Sequence, residues 1–235
     1  MKRKKRCFFD LHVFPNEKNW REMVFRAREF GFEVLGFTVM EPSRLRALKD
    51  IVREAEAMGI QVLTRLDLSP SLSKGFSAEV KWAKGSFDLV AAECLTRKDI
   101  MVAAKSQVKI LFLDSRASLG LREGDFKPLV GSQKFFELNL SPLLRKKGLE
   151  RIREFSHLIK GLAWLQRLRV PTIISSGAKE ALEMRSPLDM ASFFSIVGLS
   201  LEEGLNGLSR NPLALLETVK AERDPEEPFP WPFSF

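Results

Sequence analysis

Seven times along this chain a short apolar run is followed by a longer stretch whose apolar residues recur every three or four positions. The period is about 25 residues, the spacing of a strand, a covering helix and two short connections. The runs are CFFDLHV (7–13), VLGFTV (34–39), QVLTRLDL (61–68), FDLVAAE (87–93), KILFLD (109–114), KFFELNL (134–140) and VPTIISS (170–176). Between the second and third, Leu45, Leu48, Val52, Ala55 and Met58 form one helix face that ends at Gly59; the preceding helix ends similarly at Gly31. Runs such as ILFL and TII are apolar on both faces, as in a parallel sheet covered by helices. No G-x-G-x-x-G follows any of them, which disfavours a doubly wound nucleotide-binding sheet. The expected fold is α/β: a single parallel TIM-like barrel of about seven βα units with extra C-terminal helices. No eighth strand is visible, so closure is itself an inference. Three later helices announce their starts: Ser186-Pro187-Leu188-Asp189, the Ser200–Glu203 capping box, and Asn211-Pro212.

The domain reading is a basic arm (1–6), the barrel (7–222) and a tail (223–235) in which Phe229, Trp231, Phe233 and Phe235 alternate with prolines and a serine. No apolar run reaches the roughly 18 residues that span a bilayer, and Asp10 and His12 interrupt the first run too early for a secretory signal. Cys7 and Cys94 make no disulfide framework or C-x-x-C pair. A cytoplasmic protein without a membrane partner is expected. The formal charge of +8 is unevenly placed: residues 2–6 are all basic, and 145–169 hold eight basic residues against two acids. Such local surplus suits contact with a polyanion.

In a parallel barrel, functional groups gather at the C-terminal ends of the strands. Here those ends offer Asp10, His12, Arg65, Asp67, Glu93, Asp114, Glu137, Asn139, Ser175 and Ser176. The aspartate–histidine pair has the look of a metal-site strand. The chain holds only two histidines, however, and His157 lies in a helical stretch, so a compact multinuclear metal site is not expected. The turn Ser175-Ser176-Gly177-Ala178, with Arg185 shortly after it, can bring backbone amides close to a phosphate, or can simply be a tight turn. In 149–169, Ile152, Phe155, Ile159, Leu162 and Leu165 form an expected buried face. Arg153, His157, Lys160, Trp164 and Arg167 then fall in a second stripe, suited either to RNA phosphates and an unpaired base or to plain solvation. The KRKKR arm would add affinity without sequence discrimination.

The ordered set CFFDLHV, RLDL (65–68), FDLVAAE, ILFLD (110–114), FFELNLSPLL (135–144), IISSGAKEALEMRSPLD (173–189), GLS (198–200) and SRNPLALL (209–216) resembles the thirty-kilodalton protein subunit family of ribonuclease P. The resemblance runs from about residue 7 to 218. It implies a barrel related to the polymerase-and-histidinol-phosphatase superfamily, whose metalloenzymes begin with D-x-H-x-H; here Phe14 stands at the second histidine's place. It further implies a protein that binds and stabilises the catalytic RNA removing the 5′ leader of precursor tRNA. The partners would be that RNA, ribonuclease P protein component 2 and the other protein subunits, with precursor tRNA met indirectly. The expected cofactor of the chain is none, Mg²⁺ acting through the RNA, and the isolated chain is expected to be non-catalytic within an endoribonuclease holoenzyme.

On this reading the expected phosphate contacts around the barrel mouth are Arg65, Lys81, Lys84, Arg97 and Arg185, with Ser175, Ser176 and Gly177. The stripe Arg153, His157, Lys160, Trp164 and Arg167 is a second candidate surface. Two rivals stay open: a metal-poor barrel phosphoesterase acting at Ser175–Ala178 through Asp10 or His12, and a protein-docking scaffold without RNA affinity that uses the aromatic tail.

Overall fold

A computed structural model of the chain describes residues 6–113 and 121–223. All seven expected strands are present: β1 (Phe9–Val13), β2 (Val34–Val39), β3 (Gln61–Leu68), β4 (Leu89–Cys94), β5 (Ile110–Leu113), β6 (Phe135–Asn139) and β7 (Thr172–Ser175). Each pairs in parallel with the next, in the order β1 to β7. The helices are α1 (Trp20–Glu29), α2 (Leu45–Ala57), α3 (Phe76–Lys84), α4 (Arg97–Lys105), α5 (Ser141–Arg145), α6 (Gly148–Arg167), α7 (Pro187–Ile196), α8 (Leu201–Gly207) and α9 (Arg210–Ala221). A 3-10 segment, Glu123–Leu129, stands where a helix would link β5 to β6. No helix among the described residues is long and apolar enough to cross a membrane.

Parallel alternation splits the core in two. Outward-facing strand residues pack under the helices in one large cluster. Inward-facing Phe9, Leu11, Val34, Leu63, Leu89, Ile110, Phe135 and Ile173 fill the lower barrel, where Leu215 and Leu216 of α9 join them as a plug. The same inward rows then turn polar toward the C-terminal end: Leu63 leads to Arg65 and Asp67, Phe135 to Glu137 and Asn139, Ile173 to Ser175.

There is no eighth strand among the described residues, and the barrel closes by other means. At the mouth, Phe14 N–H donates to the Ala178 carbonyl at 2.8 Å beside a lone parallel bridge from Val13 to Ala178. At the base, Phe9 N–H donates to the Leu208 carbonyl at 2.9 Å, and Asn211 Nδ2 donates to the Thr172 carbonyl at 2.6 Å. The connection from α8 to α9 thus wedges the seam between β1 and β7.

The caps follow the sequence. Gly31 and Gly59 both stop their helices at φ +82°, and the Ser186 and Ser200 side chains accept the N–H groups of Asp189 and Glu203. Asn211 does not cap; α9 begins one residue earlier, and its amide serves the seam.

One irregularity shapes everything above it. Asp10 pairs with Leu35 but Val13 pairs with Phe37, so β1 carries one residue more than β2 between these points. This bulge lets both Leu11 and His12 address the interior. Gly36 is what admits it, since a Cβ there would stand 2.3 Å from the Leu11 carbonyl oxygen. Gly36→Ala is therefore expected to destabilise the fold by about 1–3 kcal/mol, a Tm loss of roughly 2–4 °C per kcal/mol in thermal unfolding. Gly124→Ala, where no atom lies within 4 Å, is the control expected to leave Tm unmoved.

Candidate functional site

Arg65 leaves β3 and ends inside the barrel, fully buried at 0% exposure. Its Nε donates to Asp67 Oδ1 at 2.7 Å, and Nη1 donates to the Leu11 carbonyl at 2.9 Å. The fork Nη1/Nη2 grips both Glu137 oxygens at 2.8 and 2.7 Å. Such bidentate pairing is the strong, planar form of the arginine–carboxylate contact. Ser175 Oγ adds a hydrogen bond to Glu137 Oε1 at 2.8 Å, bringing β7 into the network.

His12 completes it. Its Nδ1 lies 3.0 Å from Glu137 Oε2 and 3.1 Å from Asn139 Oδ1. Nε2 faces Asp67 Oδ2 at 2.9 Å, an ion-pair distance without hydrogen-bond alignment. The ring packs against Phe14 and Phe112, with centroids 4.8 and 5.0 Å away, and Phe112 also lies beneath the guanidinium.

The electrostatics are balanced. Burial and the Arg65 charge press the His12 pKa down, but Asp67 and Glu137 outweigh them and raise it to about 9. Burial presses Glu137 up, yet the Arg65 and His12 charges and their hydrogen bonds hold it well below the usual carboxylate range. Near neutral pH the buried His12 and Arg65 cations therefore face the Glu137 carboxylate, and Arg65, against its burial, is held in its charged form by Asp67 and Glu137. Asp10 stands apart: burial pushes it up to about 6, partly offset by the Ser176 and His12 hydrogen bonds. With His12 protonated, the 3.3 Å approach of Arg65 Nη2 to Nδ1 brings two donors together and is a contact rather than a hydrogen bond.

The D-x-H stretch thus belongs to a site closed by an arginine. The residues do not fit a metal ion: the oxygens of Asp67 and Glu137, the Leu11 carbonyl and the His12 ring nitrogens already serve the guanidinium or one another. Among the described residues no group of three or more histidine, cysteine or acidic side chains is arranged to hold a metal.

Several expected site residues are not where the sequence reading put them. Arg65 is no phosphate contact, because it is wholly buried and its donors are engaged. Ser175, Ser176 and Gly177 form no phosphate cradle. All three are buried; the Ser176 N–H donates to Asp10 Oδ1 at 2.9 Å and the Ala178 N–H to Ser176 Oγ at 3.1 Å. Gly177, at φ +61°, is needed for the turn itself, and a Cβ there would stand 3.2 Å from the Asn139 side chain. Lys81 and Lys84 sit at the C-terminal end of α3, hence at the barrel's base, where Lys84 pairs with Glu222 at 3.0 Å. Arg97 and Arg185 do lie at the mouth. Arg97 is paired with Asp125 at 2.7 Å, and Arg185 donates to the carbonyls of Leu182 and Met184. Asp114, residues 1–5 of the arm and residues 224–235 of the tail lie outside the described residues.

Helix α6 is rotated from the expected phase. Leu158, Leu162 and Leu165 face the core with Phe155 at one side, whereas Ile152 and Ile159 are 62% and 46% exposed. Arg153, Lys160 and Arg167 point outward, Arg167 paired with Glu123 at 2.9 Å. His157 and Trp164 turn inward instead; Trp164 packs on Phe126 at 5.9 Å, so the indole is no free stacking platform. Outside the closed network, the mouth carries a groove of about 950 Å³ floored by Phe14, Met40 and Ile51 and edged by Lys18, Arg44 and Lys179. The sequence reading missed it, because its walls come from the separate connections after β1, β2 and β7 and from α2.

The raised His12 pKa has a stability consequence. Its contribution is fully present below the unfolded value near 6.5 and is lost as pH rises through about 9. The difference in unfolding free energy between the wild type and His12→Gln is expected to be widest below pH ~6.5 and to narrow by roughly 2–4 kcal/mol across that window. A gap that stays constant from pH 6 to 10 would mean His12 is neutral in the fold.

Comparison with known proteins shows the family and the fold. The pattern of the RNase P subunit p30 family matches residues 7–224. Ribonuclease P protein component 3 of Methanosarcina mazei is 32% identical over 217 residues, covering 89% of this chain and 87% of the relative. The component 3 protein of Methanosarcina acetivorans is 25% identical over 212 residues, covering 87% and 85%. Among solved structures, a chain in the cryo-EM structure of archaeal ribonuclease P with mature tRNA superposes with a TM-score of 0.77 at 19% identity, over 97% of this chain and 98% of that one. The chain belongs to the RNase P subunit p30 family.

Proposed function

We propose that this chain is a protein subunit of ribonuclease P that binds and stabilises the catalytic RNA, and that the isolated chain cleaves nothing. The observation that carries the reading is the Arg65 network. At the strand ends, where barrel enzymes keep their reactive groups, Asp67, Glu137 and His12 are tied into the network of one buried counter-ion, Arg65. Three of the groups a phosphoesterase could use to take a proton or hold a metal are thereby engaged, and Asp10 lies beside them fully buried, bound to the Ser176 N–H. What remains for RNA is charge on the outer surface. Arg153 and Lys160 project from α6 with no ion-pair partner among the described residues.

The further parts of the proposal follow from the resemblance. Precursor tRNA is met through the RNA, Mg²⁺ acts through the RNA rather than through this chain, ribonuclease P protein component 2 is the close protein partner, and the assembly is cytoplasmic. RNA contact is assigned to Arg153 and Lys160, with Arg97 and Arg185 secondary because both are already engaged.

The test is an omission experiment. Precursor-tRNA cleavage is reconstituted from the organism's ribonuclease P RNA and protein subunits, with and without this chain, at moderate Mg²⁺. Activity is expected to fall when this chain alone is withheld, while the chain by itself shows no turnover. Unchanged activity on omission would reject the reading.

The surface assignment is tested separately through salt. If Arg153 and Lys160 each neutralise a phosphate, Arg153→Glu/Lys160→Glu should weaken RNA binding across sequences and flatten the slope of log K against log salt by about 1.5. Both side chains are exposed, so Tm is expected to hold.

A further inference from the structure

We propose that α6 is one half of a coiled coil: its outer face takes an amphipathic α-helix of a protein partner, apolar along the seam and acidic along the edge that meets Arg153, Lys160 and Arg167.

Spacing and exposure together define the seam. Leu149, Ile152, Ser156, Ile159 and Ala163 follow one another at steps of three, four, three and four, the a and d positions of a heptad repeat. All five are exposed on α6, Leu149 at 71% and Ile152 at 62%. The small Ser156 and Ala163 alternate with the branched side chains and leave holes for the knobs of a facing helix. At 1.5 Å per residue the row is about 21 Å long. Helix α7 adds a second wall. Phe193 packs on Phe155 at 5.4 Å, Gln166 Nε2 donates to the Gly198 carbonyl at 3.3 Å, and Ile196, between Phe193 and Gly198, is 76% exposed. Single exposed apolar residues are ordinary; a row of them in one register marks a contact with another macromolecule.

Charge selects the occupant. The residue after each d position is a cation, Arg153, Lys160 and Arg167 in turn, and all three are exposed. These are e positions, whose charges set partner choice in coiled coils. An acid already answers one of them, since Glu123 pairs with Arg167 at 2.9 Å. A second copy of α6 would bring like charges to the same seam, which costs specificity and affinity. RNA can meet the cations, but it gains nothing from Leu149, Ile152 and Ile159, because phosphates are held by charge and bases by aromatic planes. A helix with Glu or Asp beside an apolar stripe satisfies both features. The proposal rests on the reading of this chain as a ribonucleoprotein subunit and shares Arg153 and Lys160 with it; the apolar seam is its own.

The experiment uses the full chain and two synthetic three-heptad peptides with leucine at a and d, one carrying glutamate and the other lysine at e and g. Binding is followed by fluorescence anisotropy. The glutamate peptide is expected to bind at least about tenfold more tightly than the lysine peptide. Ile152→Gln/Ile159→Gln is expected to lose about 100-fold of that affinity while keeping its Tm and its affinity for the ribonuclease P RNA. When the other protein subunits of the enzyme are mixed one at a time with the chain, one is expected to co-elute with the wild type and not with this variant.

The proposal is overturned if neither peptide binds or both bind alike, or if the variant holds the glutamate peptide as well as the wild type does. A variant that unfolds well below the wild type overturns it too, since the isoleucines then serve the fold. So does a variant that loses RNA affinity, because RNA then covers the face. Self-association of the wild type in sedimentation, absent from the variant, would assign the seam to a second copy and reject the partner helix; so would a variant that keeps every subunit the wild type binds. Failure of the subunit reading itself is separate: it shows as cleavage unchanged on omission, whatever the peptides do.

Discussion

A guanidinium removed from water must find partners for its charge and for its donors, or the fold that buries it does not form. Here Arg65 finds them on two other strands and on its own, and Glu137 extends the bond to Ser175 on β7. Pairs of this kind contribute little net stability against an apolar alternative, but losing one partner costs about 3–5 kcal/mol because the other is stranded. Their effect is to fix the register of the barrel's upper half. Apolar layers below tolerate small slips; a bidentate fork onto Glu137 does not.

That constraint also decides what the molecule has left to work with. Asp67 and Glu137, at strand ends where acids in barrel enzymes do chemistry, are here spent on holding the scaffold together. Interaction with a large polyanion then falls to side chains on the outside, and α6 supplies cations on a face that the core does not use. The division is physical: the buried cations Arg65 and His12 are matched to acids within the barrel, while α6 carries its cations on the outside.

Much of the fold was legible because parallel strands covered on both faces must be apolar, and the seven runs stand out on that ground alone. The glycine stops and serine caps were legible too, being local. The site was harder. Alternation along Leu63-Thr64-Arg65-Leu66-Asp67 already put Arg65 and Asp67 on the face of Leu63, which points inward; reading Arg65 as a surface cation ignored that parity. The turn at Ser175–Ala178 consists of small residues, and sequence does not distinguish small because a ligand approaches from small because Asn139 does. In α6 two registers overlap, 152/155/159/162 and 155/158/162/165, and only the neighbouring 3-10 segment, through Phe126 against Trp164, selects the second.

The seam between β1 and β7 carries a consequence for how the chain is made. The first strand is satisfied at its base by Leu208 and plugged by α9, segments almost the whole length of the polypeptide away. Until α8 and α9 are in place, the base of β1 has a partner on one edge only, β2. Closure is a late event of high contact order, and such topologies fold slowly while their unpaired edges remain exposed to other chains. The contacts that complete the seam are therefore among those of greatest sequence separation in the fold.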